Sequence, residues 1–330
     1  MKVLRFDRFG APAEVLRLED EDTPRPGADD VRVRLTSRAI HPSDLATIHG
    51  RYGLEPPTLP RVPGSDAAGT IVEAGANVRD VKPGDRVILL LGATRGAGTW
   101  REEVCIPGAA VVKTPETLPD AQAGSVWVNY LSAWALADHV LAVPRGAWVL
   151  QTAAGSQLGR AMMELSRLRG FRLLNVVRRR EQVKELEALD AGPVVCTADD
   201  DFVARVRGIV GTAGLHFAVD AVGGTTAAKV LGCLAPGGQL VVFGALGGAQ
   251  IPLDIATVLF KQLVVRGFWL RPWIEAAGPA LHRQIAADIL EQIARERIRP
   301  AIDSTFAFAD FRNAVRHAMA SGRTGAVVLT

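Results

Sequence analysis

Cysteine is scarce in this 330-residue chain: Cys105, Cys196 and Cys233 lie far apart and are odd in number. That excludes a disulfide framework and any zinc site built on cysteine pairs, and it suits a reducing compartment. Charge of one sign is lacking too. A formal net charge of +3 is too small to argue for a nucleic-acid partner, although the sequence pI is about 8.9. No apolar run reads as a membrane span. The most apolar stretch, Ala121 to Ala137, contains Gln122, Asn129 and two serines and runs into Asp138 and His139, so it reads as a buried helix. The opening "MKVLRFDRFG" alternates charge and bulk like a strand and lacks the long apolar core of a signal peptide. The expectation is a cytoplasmic protein with no membrane partner. Tyrosine is rare as well, so Tyr52 and Tyr130 can be weighed singly against six tryptophans.

What is present is ordinary globular composition, with 48% hydrophobic and 22% charged residues, in a chain long enough for about two domains. The first third reads as strand and turn. "VRVRLTSRAI" alternates from Val31, and two apolar runs flank a Pro83-Gly84-Asp85 turn. A small β-barrel-like domain is the natural reading. From Ala121 the pattern changes. The strand "AWVLQTAA" precedes a helix carrying Leu158, Met162, Leu165 and Leu168 on one face. Then follow "FRLLNVV", "REQVKELEALDA", "PVVC", "FVARVRGIV", "HFAVDAV", a helix from Thr225, and "QLVVFGAL". Strands alternating with helices predict a doubly wound parallel sheet, an α/β fold. The strand "LVVRGFWL" is expected to precede a helix from Gly278 to about Glu296, and a last helix and strand close the chain against the first domain.

"VLQTAAGSQLGRAM" sits at a strand-to-helix turn, where a dinucleotide pyrophosphate meets exposed N–H groups. Ala154, Ser156 and Gly159 occupy the three positions of the glycine fingerprint, and small residues there permit close backbone approach. In this fold an acid ending the second strand holds the ribose of NAD, but the chain reads "NVVRRRE". Guanidinium groups match a 2′-phosphate in charge and fork geometry, so Arg178 and Arg180, with Arg179 between them, point to NADPH. Gly223, Gly224 and Gly244 end the next strands and are candidates to line a cofactor cleft; tight turns are the competing reading.

"AIHPSDLATIHGRYG", residues 39 to 53, gathers two histidines, an aspartate and a tyrosine. "GSDAAGTIVEAGANV", "VKPGDRV" and "TAAGSQLG" resemble the medium-chain dehydrogenase/reductase superfamily over nearly the whole chain. Its zinc alcohol dehydrogenases place a cysteine where this chain has His41, and a His-Glu pair where it has Ser65 and Asp66. A catalytic zinc needs three protein ligands, no cysteine stands near Asn129 for the third, and the four-cysteine lobe is absent. The expectation is zinc-free, with Asp66 accepting hydrogen bonds in the core. "HPSDLATIHGRYG", "GAGTWREE", "NVVRRRE" and "LFKQLVVRGFWLRPW" are similar to the zinc-free trans-2-enoyl-thioester reductases of mitochondrial fatty acid synthesis, and quinone oxidoreductase-like enzymes share much of the pattern. Two departures are His41 for an asparagine and Gln157 for a glycine.

The resemblance implies a GroES-like catalytic domain over 1–120, an NADP-binding Rossmann domain over 121–270 and a C-terminal segment, 271–330, returning to the first. It implies Tyr52 as the polar group that protonates or orients the substrate, with Asn129, Ser132, Gln157, Leu158, Phe268 and Trp269 beside the cofactor. His41 is a second catalytic candidate, competing with simple replacement of asparagine. Trp100 and Trp273 are expected to wall an apolar substrate pocket, with core packing as the alternative for each. The implied chemistry is hydride delivery from NADPH to the β-carbon of an activated double bond, followed by protonation at the α-carbon. An enoyl thioester, a quinone or enone, and a non-catalytic NADPH-binding sensor remain the alternatives. The superfamily commonly dimerises through an edge strand, here the one holding Val264 to Phe268.

Overall fold

The computed structural model describes residues 1–330 and begins with the antiparallel pair β1 (Lys2–Arg5) and β2 (Arg17–Asp20) around helix α1 (Pro12–Val15). Strand β3 (Asp30–Ala39) keeps the alternation read from the sequence. Val31, Val33 and Leu35 are buried, while Arg32 pairs with Glu73 at 2.9 Å and Arg34 with Glu103 at 3.1 Å on the other face. Helix α2 (Pro42–Ile48) follows, then β4 (Ala67–Ala74), β5 (Arg86–Leu89), β6 (Glu103–Pro107), β7 (Val111–Lys113) and α3 (Asp120–Ala123).

The expected single helix over Ala121 to Ala137 is divided. A methyl on Gly124 would overlap the Ser37 side chain of β3, so α3 stops there. Helix α4 (Trp127–Trp134) then starts afresh and runs into a π-helix, Ala135–Val140. No helix of the structure is long and apolar enough to cross a membrane.

Strands and helices then alternate as β8 (Trp148–Gln151), α5 (Gln157–Arg169), β9 (Arg172–Val177), α6 (Arg180–Glu187) and β10 (Val194–Cys196). Next come α7 (Phe202–Val210), β11 (Phe217–Asp220), α8 (Gly224–Cys233), β12 (Gln239–Val242), α9 (Ile255–Lys261) and β13 (Val264–Gly267). The six strands are all parallel, in the order β10-β9-β8-β11-β12-β13. The chain thus winds outward on both sides of β8 and β11, the doubly wound topology the alternation predicts. Helix α9 was not expected: its Ile255, Leu259 and Phe260 are exposed, so no buried periodicity marks it.

Two differences follow β13. Phe268 and Trp269 lie beyond the strand's end, and α10 (Leu270–Ala294) carries a helical stretch ahead of Gly278 that was not expected. Gly278 has a non-helical φ of 83° and is followed by Pro279, so it separates that stretch from the long helix expected from Gly278 onward. Then β14 (Ile302–Phe306), also unexpected, α11 (Phe311–Met319) and β15 (Ala326–Leu329) complete the chain. Strand β15 pairs with β3, closing the chain against the first domain as expected.

The chain divides into two compact units, Met1–Leu131 with Ala277–Thr330, and Ser132–Ala276. The divisions lie within α4 and just before the kink of α10, against expected bounds of 120 and 270. The β-rich unit holds a seven-stranded sheet in which β3 touches β4, β6 and β15. Its core contains Trp100, fully buried among Val3, Phe6, Ile48, Val62 and Phe311. The sequence expectation that Trp100 walls a substrate pocket is therefore corrected: the ring is core. Replacing it with alanine leaves a large void. Trp100→Ala is expected to destabilise the β-rich unit by about 3–5 kcal/mol, read as a lower urea midpoint; an unchanged midpoint would return the ring to a pocket.

Candidate active site

Strand β8 delivers the chain into the turn Thr152–Ser156, where Ala153 takes a left-handed φ of 51°. Ser156 caps α5: its Oγ accepts the Gly159 N–H at 3.1 Å. A methyl on Gly159 would overlap the Ala154 carbonyl oxygen, so only glycine lets the helix start this close to the turn. Gln157 and Leu158 form the half-buried first turn between them. The helix closes with Arg167 and Arg169 in its last turn and Gly170 at φ 76°, so its dipole is complemented at the C-terminus while the N-terminus faces outward.

Polar side chains inside the sheet brace this turn, and the sequence reading missed them. Gln151 Nε2 donates to the Gly159 carbonyl at 3.0 Å and to Asn175 Oδ1 at 2.7 Å. Asn175 in turn donates to the Ala191 carbonyl at 2.6 Å. Thr152 donates to Asp220 Oδ1 at 2.6 Å, and Asp220 Oδ2 accepts the Gly223 N–H at 2.7 Å. All four bracing side chains are buried. The available signal was a polar residue inside an apolar strand, as in "VLQT", "LLNVV" and "FAVD". Gly223 itself has φ 70° and no room for a methyl against the Gly248 carbonyl. With Gly244, it brings the loops after β11 and β12 close together at the carboxyl ends of the strands.

Strand β9 ends at Val177, and no acid follows. Arg178 is exposed, Arg179 stands just ahead of α6 without capping it through its side chain, and Arg180 opens it. Arg180 also pairs with Asp199 at 3.4 Å, and Asp199 pairs in addition with Arg205. Sequence reasoning overlooked Asp199, which comes from the loop after β10. The turn, the outward helix start and the exposed Arg178 fit a dinucleotide carrying a 2′-phosphate.

In the β-rich unit, His41 stands at the N-terminus of α2 and is 3% exposed. Its backbone N–H donates to Asp44 Oδ2 at 2.9 Å, and Ser65 Oγ donates to Asp44 Oδ1 at 3.0 Å. The ring lies between Asp66 Oδ2, 3.2 Å from Nε2, and Asn129 Nδ2, 3.5 Å from Nδ1. Asp66 is fully buried, accepts the Val128 N–H at 3.0 Å, and has no hydrogen-bond partner for Oδ1. Burial disfavours the imidazolium, but the Asp66 hydrogen bond and the charges of Asp44 and Asp66 outweigh it and hold the His41 pKa above its ordinary value. Burial also lifts the Asp44 carboxyl, against the pull of His41. A catalytic zinc does not fit these residues. His41 and Asp66 face each other, both Asp44 oxygens are engaged, and no group of three or more His, Cys, Asp or Glu side chains is placed to hold a metal ion.

Tyr52 lies on the loop beyond α2 and is 39% exposed. The seven-residue helix α2 separates it from His41 in the chain. Tyr130 is core, and Ser132 is buried on α4. Past β13, Phe268 and Trp273 have ring centroids 6.0 Å apart, and Trp273 also meets His139 at 5.7 Å. Trp269 is exposed beside them.

Residues 27–116 match the family described as "Alcohol dehydrogenase GroES-like domain", and residues 158–287 match "Zinc-binding dehydrogenase". The chain is 29% identical over 323 residues to the mitochondrial enoyl-[acyl-carrier-protein] reductase of Rattus norvegicus, covering 97% of this chain and 86% of that protein. It is 30% identical over 302 residues to the Arabidopsis thaliana enzyme of the same name, covering 89% and 78%. Among solved structures, a putative NADPH:quinone reductase from Bacillus thuringiensis superposes with TM-score 0.91 at 30% identity, covering 100% of this chain and 98% of that one. A mycobacterial protein solved in complex with NADPH superposes with TM-score 0.85 at 27% identity, covering 100% and 99%. With its GroES-like unit, its doubly wound parallel unit and relatives matching along nearly its full length, the chain belongs to the medium-chain dehydrogenase/reductase superfamily.

Proposed function

We propose that this protein is an NADPH-dependent, zinc-independent oxidoreductase that reduces an activated carbon–carbon double bond, with 2-enoyl thioesters as its substrate class. The observation that carries the cofactor choice is the end of β9, where exposed Arg178 stands in place of a ribose-binding acid. The relatives named as enoyl-[acyl-carrier-protein] reductases support the thioester. Bound NADPH supplies the hydride. The chain's own residues bind and orient. The first-turn N–H groups of α5 and the Ser156 hydroxyl face the pyrophosphate, Ala154 and Gly159 let the backbone approach it, and Arg178, with Arg180 beside it, takes the 2′-phosphate. Gly223, Gly244, Phe268, Trp269, Asn129 and Ser132 complete the cofactor contacts, and Trp273 serves the acyl chain. The Tyr52 phenol donates to the thioester carbonyl oxygen as negative charge develops there and delivers the proton that completes the reduction.

Arg178→Ala removes one charge-assisted contact. It is expected to raise the NADPH KM on the order of tenfold to a hundredfold while leaving that for NADH nearly unchanged; a wild-type preference for NADH would overturn the assignment. Tyr52→Phe is expected to lower turnover of crotonyl or hexenoyl thioesters by on the order of a hundredfold or more, with cofactor KM unchanged. A quinone or enone reductase is the second reading, favoured by the Bacillus thuringiensis neighbour; it requires quinone turnover that Tyr52→Phe hardly changes. Tight NADPH binding with no turnover of any acceptor would instead leave a sensor.

We also propose a homodimer in a reducing, cytoplasmic compartment, consistent with three free thiols. All four residues of β13 are exposed at the sheet edge, and Ile255, Leu259 and Phe260 stand exposed on α9 nearby in the chain. An unpaired apolar edge invites a second copy to extend the sheet about a two-fold axis. Val265→Lys is expected to yield monomers in light scattering; a dimer that survives this change uses another surface.

A further inference from the structure

The arginines that follow β9 are not held alike. Arg178 is exposed and makes no ion pair, whereas Arg180 Nη2 lies 3.4 Å from Asp199 Oδ1. Asp199 is itself firmly placed. Its side chain is only 13% exposed, and its other oxygen, Oδ2, accepts from Arg205 Nη1 of α7. Its backbone N–H donates to the Cys196 carbonyl at 3.2 Å. The loop it stands on is stitched to the end of β9 as well. The Thr197 N–H donates to the Val177 carbonyl at 2.8 Å, and the Cys196 thiol donates to the Arg178 carbonyl at 3.3 Å. Lys229 of α8 donates to the Thr197 carbonyl at 3.0 Å. The carboxylate therefore keeps a fixed place relative to the strand end that carries the arginines. All of these residues belong to the parallel unit.

We propose that Asp199 is a positioning residue that strengthens the preference for a 2′-phosphorylated cofactor by holding Arg180 ready for the phosphate. The inference rests on the reading above in one respect, that the end of β9 receives the adenosine ribose of NADPH.

The side chain of Arg180 is 75% exposed, and a free arginine loses rotamer entropy when it settles on a ligand. A carboxylate that engages Nη2 restricts the side chain before the ligand arrives, so less is lost on binding. Guanidinium groups carry five N–H donors, and the contact through Nη2 leaves Nε and Nη1 for phosphate oxygens. Asp199 also bears a negative charge, which by itself repels a phosphate. Arg205 balances that charge through Oδ2, so the two together act on Arg180 as a nearly neutral anchor and the orienting effect prevails. An ion pair this open to water is weak, so the effect is a few-fold one. It falls on the 2′-phosphate, because NADH offers only a hydroxyl in its place.

The test is a fluorescence titration of the full chain with NADPH and with NADH, for wild type, Asp199→Asn, Arg180→Ala and the double variant. Asparagine matches aspartate in size and lacks its charge. Asp199→Asn is expected to raise the NADPH Kd about two- to fivefold, the span of an exposed ion pair, and to leave the NADH Kd unchanged. In the Arg180→Ala background the same substitution should have no further effect on NADPH, because the residue it acts through is gone. An unchanged or lower NADPH Kd in Asp199→Asn would overturn the inference, the lower value meaning that charge repulsion prevails. Equal weakening of both cofactors, the mark of a merely structural carboxylate, overturns it too, as does a loss that persists undiminished beside Arg180→Ala. If Asp199→Asn does not fold, Asp199→Ala takes its place in the same comparison. A wild type that binds NADH as tightly as NADPH, or binds neither, is a different result, and it sinks the cofactor reading itself.

Discussion

The opening N–H groups of an α-helix have no partner within the helix, and the parallel unit is arranged around keeping those of α5 in place. Ser156 closes one of them, at Gly159. The turn is supported from beneath. Gln151 grips the Gly159 carbonyl and is itself gripped by Asn175, while Asp220 ties Thr152 to the start of α8. Such polar groups are costly inside an apolar sheet unless they are paired, and each of the four side chains is, although Gln151 Oε1 has no hydrogen-bond partner. The network therefore fixes the geometry of the turn as well as stabilising it.

The β-rich unit faces the converse problem. Asp66 is a carboxylate sealed from water, and a buried charge is costly unless a cation or several donors face it. Here the answer comes from the Val128 N–H and His41. Asp44 is anchored separately by the His41 backbone and Ser65, which pins the start of α2 and hence the ring. One short segment thus supplies a helix cap, a buried titratable pair and, beyond the helix, the exposed Tyr52.

Much of this was legible in the sequence because it is local. The alternation of β3, the apolar face of α5, the Ser156 cap and the acid-free end of β9 each depend on a few neighbouring residues. What was not legible depends on residues distant in the chain. Gly124 ends α3 because β3 passes against it, and composition does not reveal that approach. Helix α9 carries its apolar residues outward, so a search for buried periodicity passes over it. Trp100 and Trp273 look alike in sequence, yet one is core and the other packs beside Phe268 past the sheet edge. Asp199 reaches Arg180 from the next strand's loop, a contact no spacing rule supplies.

The two networks share a feature. In each, buried polar side chains hold one another where the chain enters a helix: Gln151, Asn175, Thr152 and Asp220 around the start of α5, and Asp44, Ser65, Asp66 and His41 around the start of α2. Both contain a carboxylate sealed from water. In the parallel unit a hydroxyl and a backbone N–H donate to it; in the β-rich unit a backbone N–H does so, with an imidazole beside it. The same requirement, that a buried carboxylate be met by hydrogen-bond partners, thus shapes the turn in one unit and the helix start in the other.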